Sequence, residues 1–546
     1  DSMSMPPKNE SVLDRYERVH GPAVTVRLRV EDAEGLQAEL RKTFFVHDDP
    51  TLKAGFPFEL GSGGESSPVL ADMDGDGVLE ILIGTSNGEV LAIDGQGRIL
   101  SGWPVSVDEL HLHHAEAYSW QNTDEIMPDS ITGSVAAEDL DGDGGLDIVA
   151  VTLGGYIYAW ETDGTLREGF PYRNIGREPE EFDDDHTYDQ GFTASPVLAD
   201  LDGDGTREII VPGLDSRLYV VDAQGQDWGP YPLEICHPSL CGLKGFRIID
   251  SPTVGDVDGD GDLDIGFGTN EATNDGRYSV SYVLDGATGE PLEGWPWEKG
   301  GLVNEAVLLP LIGEGHPASM AFADLDGDGD LEISNPIMLG MTDLQHHDSS
   351  TYSPISYYAD QYGENHNVDE SLSPAVIQFV GQPAFSDLDQ DGVPDLLMGG
   401  ASTIYLVSLA GNSYMDYQQP FMAWSGVDGS VLPGFPQQIE DMQFLMAPVS
   451  ADVSGDGRPE VIYGSAGFLM HAWDADGNSP EDWPKFTGGW LMGGAAVGDI
   501  DGDGYVDVVV PTREGQLFAW TTKGHADQEI QCASAFHDSA NTGNYH

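Results

Sequence analysis

The chain has 546 residues and a mass of 58.6 kDa, which suits several domains or a repeat architecture better than one ordinary core. Its 22 basic residues stand against 95 acidic ones, a formal net charge of −73, which argues against nucleic acid and against an anionic membrane surface as partners. No run of 18 apolar residues occurs, so no spanning helix is expected, and 70 glycines point to many tight turns.

The opening, DSMSMPPKNESVLD, has neither a basic nor an apolar leader region, so it reads as a chain whose signal peptide is removed or was never there. Asn9-Glu10-Ser11 is a lone glycosylation sequon. Residues 22–47 read as a hairpin of two alternating strands around an Asp-Ala-Glu-Gly turn. It resembles the last two strands of an immunoglobulin-like or PKD-type sandwich. A lone hairpin is marginal, so packing on the rest of its own chain is expected, with strand addition to a neighbouring subunit as the alternative. The predicted organisation is an N-terminal segment 1–47, a repeat-built domain 48–521 and a C-terminal tail 522–546.

From residue 54 onward one pattern recurs: a short apolar strand, then Asp-x-Asp/Ser-x-Asp-Gly-x-x-Asp/Glu, then another apolar strand. Copies begin at Asp72, Asp139, Asp200, Asp256, Asp324, Asp387, Asp452 and Asp499, spaced 67, 61, 56, 68, 63, 65 and 47 residues apart. Most continue into a second half ending in Gly-aromatic-Pro, as in GEVLAIDGQGRILSGWP at 88–104. Four short strands per unit predict an all-β fold, a β-propeller of eight four-stranded blades, with seven as the alternative because the fifth unit is irregular. The last unit lacks its Gly-aromatic-Pro strand, and AGFPFEL at 54–60 supplies it, so the two termini are expected to close the ring together. Trp103, Phe170, Trp295 and Phe435 in that motif read as blade packing.

The acidic loops have the alternating oxygen donors that Ca²⁺ requires, with carboxylates at positions 1, 3, 5 and 9. The candidate ligands are Asp72, Asp74, Asp76 and Glu80 in the first loop, and Asp139, Asp141, Asp143 and Asp147 in the second. The third holds Asp200, Asp202, Asp204 and Glu208, and the fourth Asp256, Asp258, Asp260 and Asp264. Asp324, Asp326, Asp328 and Glu332 form the fifth; Asp387, Asp389, Asp391 and Asp395 the sixth. Asp452, Ser454, Asp456 and Glu460 form the seventh, where Ser454 should weaken binding; Asp499, Asp501, Asp503 and Asp507 complete the eighth. An EF-hand is excluded because its Glu at position 12 is replaced by Ile83, Ala150, Val211, Phe267, Asn335, Met398, Tyr463 or Val510. About eight structural Ca²⁺ ions are expected, since a catalytic site is normally single. They would bring the charge from −73 to −57.

Units such as PVLADMDGDGVLEILIG, PVLADLDGDGTREIIVP, PTVGDVDGDGDLDIGFG and AAVGDIDGDGYVDVVVP resemble FG-GAP/VCBS repeats over about residues 54–521. These are the calcium-binding blades of integrin alpha-subunit propellers and of many bacterial surface proteins. The resemblance implies a secreted or cell-surface propeller acting in adhesion, protein binding or assembly of a surface structure. Integrin propellers have seven blades and fewer calcium loops, so the count here departs from theirs.

Three insertions, 105–131, 174–192 and 340–374, are expected to bind a protein or glycan ligand, the first two from the face opposite the acidic loops. His111, His113, His114, His186 and His346 are weighed as a transition-metal site, but the spacing is loose and plain surface histidines are preferred. Tyr352, Tyr357, Tyr358 and Tyr362 suggest either a sticky patch or a loop packed on itself. Cys236 and Cys241 suit a local disulfide, whereas Cys532 reads as a buried thiol or an intermolecular bridge. The polar end FHDSANTGNYH is expected to lie along the ring. Zincin, P-loop and haem motifs are absent from the sequence, and no catalytic residue is assigned. A rhamnogalacturonan-lyase-type polysaccharide lyase is the enzyme alternative, disfavoured by the scarcity of basic residues.

Overall fold

The computed structural model describes residues 23–31, 33, 35–109, 128–174, 191–238, 248–269, 278–300, 318–336, 343–352, 376–377, 381–402, 404, 417–443 and 445–545. The strand order is a meander repeated eight times around a ring. Blades 1 to 7 span 69–106, 136–173, 197–234, 253–300, 321–345, 383–439 and 449–486. Blade 8 combines Ala496–Gly498, Tyr505–Pro511 and Gln516–His525 with Phe58–Glu59 from the front of the chain. Phe58 pairs with Leu517 and Glu59 with Gln516, the expected two-terminus closure. The seven-bladed alternative is excluded. Blade 5 has three strands among the described residues, and blade 6 carries an extra ribbon pairing Val376–Ile377 with Ala401–Ser402.

The second strands are buried throughout, for example Glu80–Gly84 and Asp147–Val151, except for Tyr505 at the start of that of blade 8. Sheets stacked face to face on both sides remove the polar alternation of a half-exposed strand, which is why these segments read as continuous apolar runs. The core is accordingly distributed as layers between neighbours. Leu82, Ala92 and Trp103 of blade 1 pack on Ile148, Ala150 and Tyr158 of blade 2, and similar layers follow around the ring. Trp103, Phe170, Trp295 and Phe435 are buried, as expected. Trp103 donates its indole N–H to Thr162 O of the next blade at 2.9 Å, and Trp295 does the same to His347 O at 2.8 Å. Gly102 precedes the aromatic because its φ is +95° and a Cβ there would lie 1.9 Å from Asp163 O.

A second ring of contacts lies near the axis, always five residues before a loop's first Asp. The amide of Ser134 donates to Ser195 Oγ, that of Ser195 to Ser251 Oγ, that of Ser251 to Ser319 Oγ and that of Ser319 to Gln382 Oε1. Gly494 donates likewise to Ser67 Oγ, while blade 7 has Ala447 at this place.

The C-terminal tail is not laid over the ring; it runs through its middle. Innermost strands present a free edge to the axis, and the tail pairs with those edges. Ala137, Leu198, Val254 and Phe322 donate their amides to Ser539, Ala540, Thr542 and Gly543, while Ser450 and Val497 donate to Cys532 and Ala533. Gln531 accepts from Ser386 Oγ of blade 6 at 2.6 Å. Cys532 is a buried free thiol within this plug.

The hairpin is present, with β1 (Ala23–Glu31) paired to β2 (Gln37–Phe45). Its expected packing on the propeller holds only at the base, where Phe45 meets Phe468 and Phe486 edge-on and Lys485 reaches Asp49 at 3.5 Å. The rest of both strands is exposed.

Candidate metal centres

Each acidic loop joins the innermost strand of a blade to the second. In the first, Asp72 accepts amides from Gly75, Asp76 and Gly77 at 2.8, 3.1 and 2.9 Å. Asp74 accepts from Asp76 N, and Asp76 from Val78 N. The chain thus wraps around its own carboxylates. Such a wrap needs left-handed backbone at positions 4 and 6, where Gly75 and Gly77 have φ of +76° and +88°. Position 6 is glycine throughout, whereas loop 6 places Gln390 at position 4 with φ +61°.

The acid at position 9 closes the loop backward. In every copy one of its oxygens accepts the amide of position 2, from Met73 N to Glu80 in loop 1 through Ile500 N to Asp507 in loop 8. This explains why an ordinary turn would not need an acid there. Positions 1, 3 and 9 bring ligand oxygens together in loops 1, 2 and 3, within 4.8 Å of one another; in loop 4 positions 1, 3 and 5 do so. In loop 5 Asp326 and Glu332 are joined by His346, whose Nδ1 lies 3.0 Å from Glu332 Oε1.

These donor sets fit a hard divalent cation. They are nearly all carboxylate, and Asp256 Oδ1 and Asp395 Oδ1 are buried without a hydrogen-bond partner. Burial first, and neighbouring carboxylates after it, push Glu208, Glu332 and Glu460 up to about 7 and Asp264 and Asp395 up to about 8. Burial takes Asp147 and Asp507 only up to about 6, because Arg167 and Lys53 respectively hold them down. In loop 7 Ser454 Oγ replaces a carboxylate and accepts Asp456 N at 3.3 Å.

Two side chains that the sequence motif does not contain enter this picture. Arg167 pairs with Asp141 and Asp147 of loop 2, and Lys53 with Asp501 and Asp507 of loop 8. The insertion 340–374 needs correction: 343–352 is the third strand of blade 5 and the turn after it. Tyr352 is buried in the layer between blades 5 and 6, so it belongs to no surface patch. Tyr357, Tyr358, Tyr362, His111, His113, His114 and His186 lie outside the described residues, as do 110–127, 175–190 and 353–374 of the insertions. Cys241 does too, and its pairing with Cys236 stands as an expectation.

The family model for FG-GAP-like repeats matches residues 452–510, which hold loops 7 and 8. No curated protein matches the chain. Among solved structures, the chain is similar to the Vibrio cholerae biofilm matrix protein Bap1 at 14% identity, covering 90% of this chain and 94% of that one, with a TM-score of 0.48. It is also similar to the quinohemoprotein alcohol dehydrogenase of Comamonas testosteroni at 12% identity, covering 88% and 78%, with a TM-score of 0.50. Identities this low speak to the propeller fold alone.

Proposed function

We propose that this chain is a secreted or cell-surface propeller, rigidified by Ca²⁺ in its acidic loops, whose task is binding and assembly rather than chemistry. The calcium part is supported by the convergence of carboxylates at positions 1, 3 and 9, each oriented by backbone amides before any ion arrives. Such sites supply folding energy, because bringing the carboxylates together without a counter-charge is costly.

The hairpin carries the assembly part. Val24, Val26, Leu28 and Val30 of β1 share a face with Phe44, Leu40 and Ala38 of β2, interrupted only by Lys42 opposite Val26, and the four β1 residues are 51–58% exposed. The opposite face is polar: Thr25 pairs with Thr43, Arg27 with Glu39, and Arg29 with Gln37. An apolar sheet face that no described residue covers is the kind of surface that a neighbouring subunit buries. A second copy of the chain is the occupant proposed here, docked through this face.

Analytical ultracentrifugation and electron microscopy of the native chain test both parts. Ordered oligomers in calcium that dissolve in Leu28→Asp and Leu40→Asp are the expected result. Discrete single rings under all conditions would remove the assembly reading. A melting temperature indifferent to EDTA would remove the calcium reading.

A further inference from the structure

Seven of the eight loops carry the same four acids, yet they are not equivalent in charge. The difference traces to one position in each blade, the residue three before the aromatic that precedes proline. It is Leu100, Trp228, Leu292 or Leu432 in blades 1, 3, 4 and 6, and in each case its amide donates to the third strand, as Leu100 N does to Ala92 O; in blade 5, which lacks the aromatic-proline pair, Tyr352 makes the equivalent bond to Leu344 O. Blade 7 has Pro480 there. In blade 2 the residue is Arg167, donating to Ala159 O at 2.9 Å; in blade 8 it is Lys53, donating to Ala519 O at 2.9 Å. Phe170 N and Phe56 N return to their carbonyls in the same way. A chain start and a mid-chain turn thus place a cation at the same point of the blade.

Both cations point into the loop of their own blade. Arg167 Nη2 lies 2.6 Å from Asp141 Oδ2 and its Nη1 2.5 Å from Asp147 Oδ1, with Glu161 Oε1 at 3.3 Å. Lys53 Nζ lies 2.6 Å from Asp501 Oδ2, 2.9 and 2.8 Å from the two oxygens of Asp507, and 3.2 Å from Thr521 Oγ1. The partners are therefore positions 3 and 9 in both loops. Only 9% of the Arg167 side chain and 5% of that of Lys53 is exposed. Among the described residues no other lysine or arginine pairs with a carboxylate at position 3 or 9 of a loop.

We infer that loops 2 and 8 are closed by a tethered cation and that the remaining six loops take calcium. This rests on the reading of the acidic loops as calcium sites. A Ca²⁺ ion entering either loop would share carboxylates with a buried positive group a few ångströms away, and evicting that group would leave it desolvated and unpaired. The chain's own charge does there what the ion does elsewhere. In blade 8 the tether also fixes the N-terminal segment to the last blade, so ring closure does not depend on the metal.

Counting ions on the full chain tests this. With calcium saturating, elemental analysis after equilibrium dialysis is expected to find six ions per chain, loops 2 and 8 being filled by Arg167 and Lys53. Arg167→Leu and Lys53→Leu, which install the residue that blades 1, 4 and 6 carry, should each add one ion, and the double variant two. Eight ions on the unaltered chain, or no gain in either variant, would overturn the inference while leaving the calcium reading intact. No bound ions at all would overturn both. Hydrogen exchange of the unaltered chain in EDTA needs no variant: loops 2 and 8 should keep their protection while the other six lose it, and uniform loss would overturn the inference.

Discussion

Asp250 lies just before the innermost strand of blade 4, with 2% of its surface exposed. Gly268 N donates to Oδ2 at 2.7 Å, and Oδ1 is buried without a partner. Burial raises its carboxyl well above the usual range, against a smaller lowering by the Gly268 amide. A carboxyl whose folded-state affinity for protons exceeds the unfolded one contributes stability at low pH that is lost as pH rises through the raised value. Asp250→Asn removes that ionisation. Urea unfolding should show it stabilised by about 1–3 kcal/mol at pH 8.5, with a smaller gain at pH 5. A penalty at both would mean that a buried charge is needed there. At this scale the sequence was partly legible. The acids of the loops and the packing aromatics could be read from repetition, as could the column five residues before each loop, serine in blades 1 to 5, had it been compared. Asp250 could not, because no other blade has an acid six residues before its loop.

The loops and turns are the elements on which the proposed calcium binding depends. Their positions followed from the spacing of Asp and Gly, and position 9 was recognisable because every copy is acidic there. The tethered cations were not recognisable from the motif, since Lys53 meets Asp507 across 454 residues of sequence. Only alignment of each Gly-aromatic-Pro segment with its blade puts Lys53 and Arg167 in one column. Blade 5 was misread for a related reason: its turn, His346 to Tyr352, lacks the Gly-aromatic-Pro ending, so strand and turn passed for part of an insertion. Loop 7 offers the cleanest test of ligand number, because Ser454 stands alone in replacing an acid. Ser454→Asp adds a carboxylate where Asp74 and Asp202 hold one, and should tighten binding at that loop by roughly tenfold, about 1.4 kcal/mol. Calorimetric titration should show the weakest class of sites vanish. An unchanged isotherm would mean that position 3 is not a ligand in loop 7.

At the scale of the whole ring, the tail decides more than its composition suggests. A polar, turn-rich segment reads as surface, yet the centre of a propeller is lined by strand edges whose amides need acceptors. An apolar plug offers none beyond its backbone, and a tail rich in Ser, Asn, Thr and Gly can turn tightly enough to meet one blade after another. Ser539, Ala540, Thr542 and Gly543 serve four successive blades, and Asn541 Nδ2 adds bonds to Val135 O and Pro196 O at 3.0 Å. The eight ordinary blade interfaces bind only neighbours around the ring, whereas the tail also meets blades that do not adjoin, from blades 7 and 8 to blades 2 to 5. Deleting 531–546 therefore removes some eight backbone hydrogen bonds at once, about 4–12 kcal/mol at typical net values, comparable to the stability of a whole domain. The truncated chain should melt far lower even in calcium, with faster hydrogen exchange in the innermost strands of blades 2, 3, 4, 5, 7 and 8 together. Deleting only the exposed part of the hairpin, 23–44, should leave the melting temperature nearly unchanged. If the two deletions cost the same, the tail is not what holds the blades to their common axis.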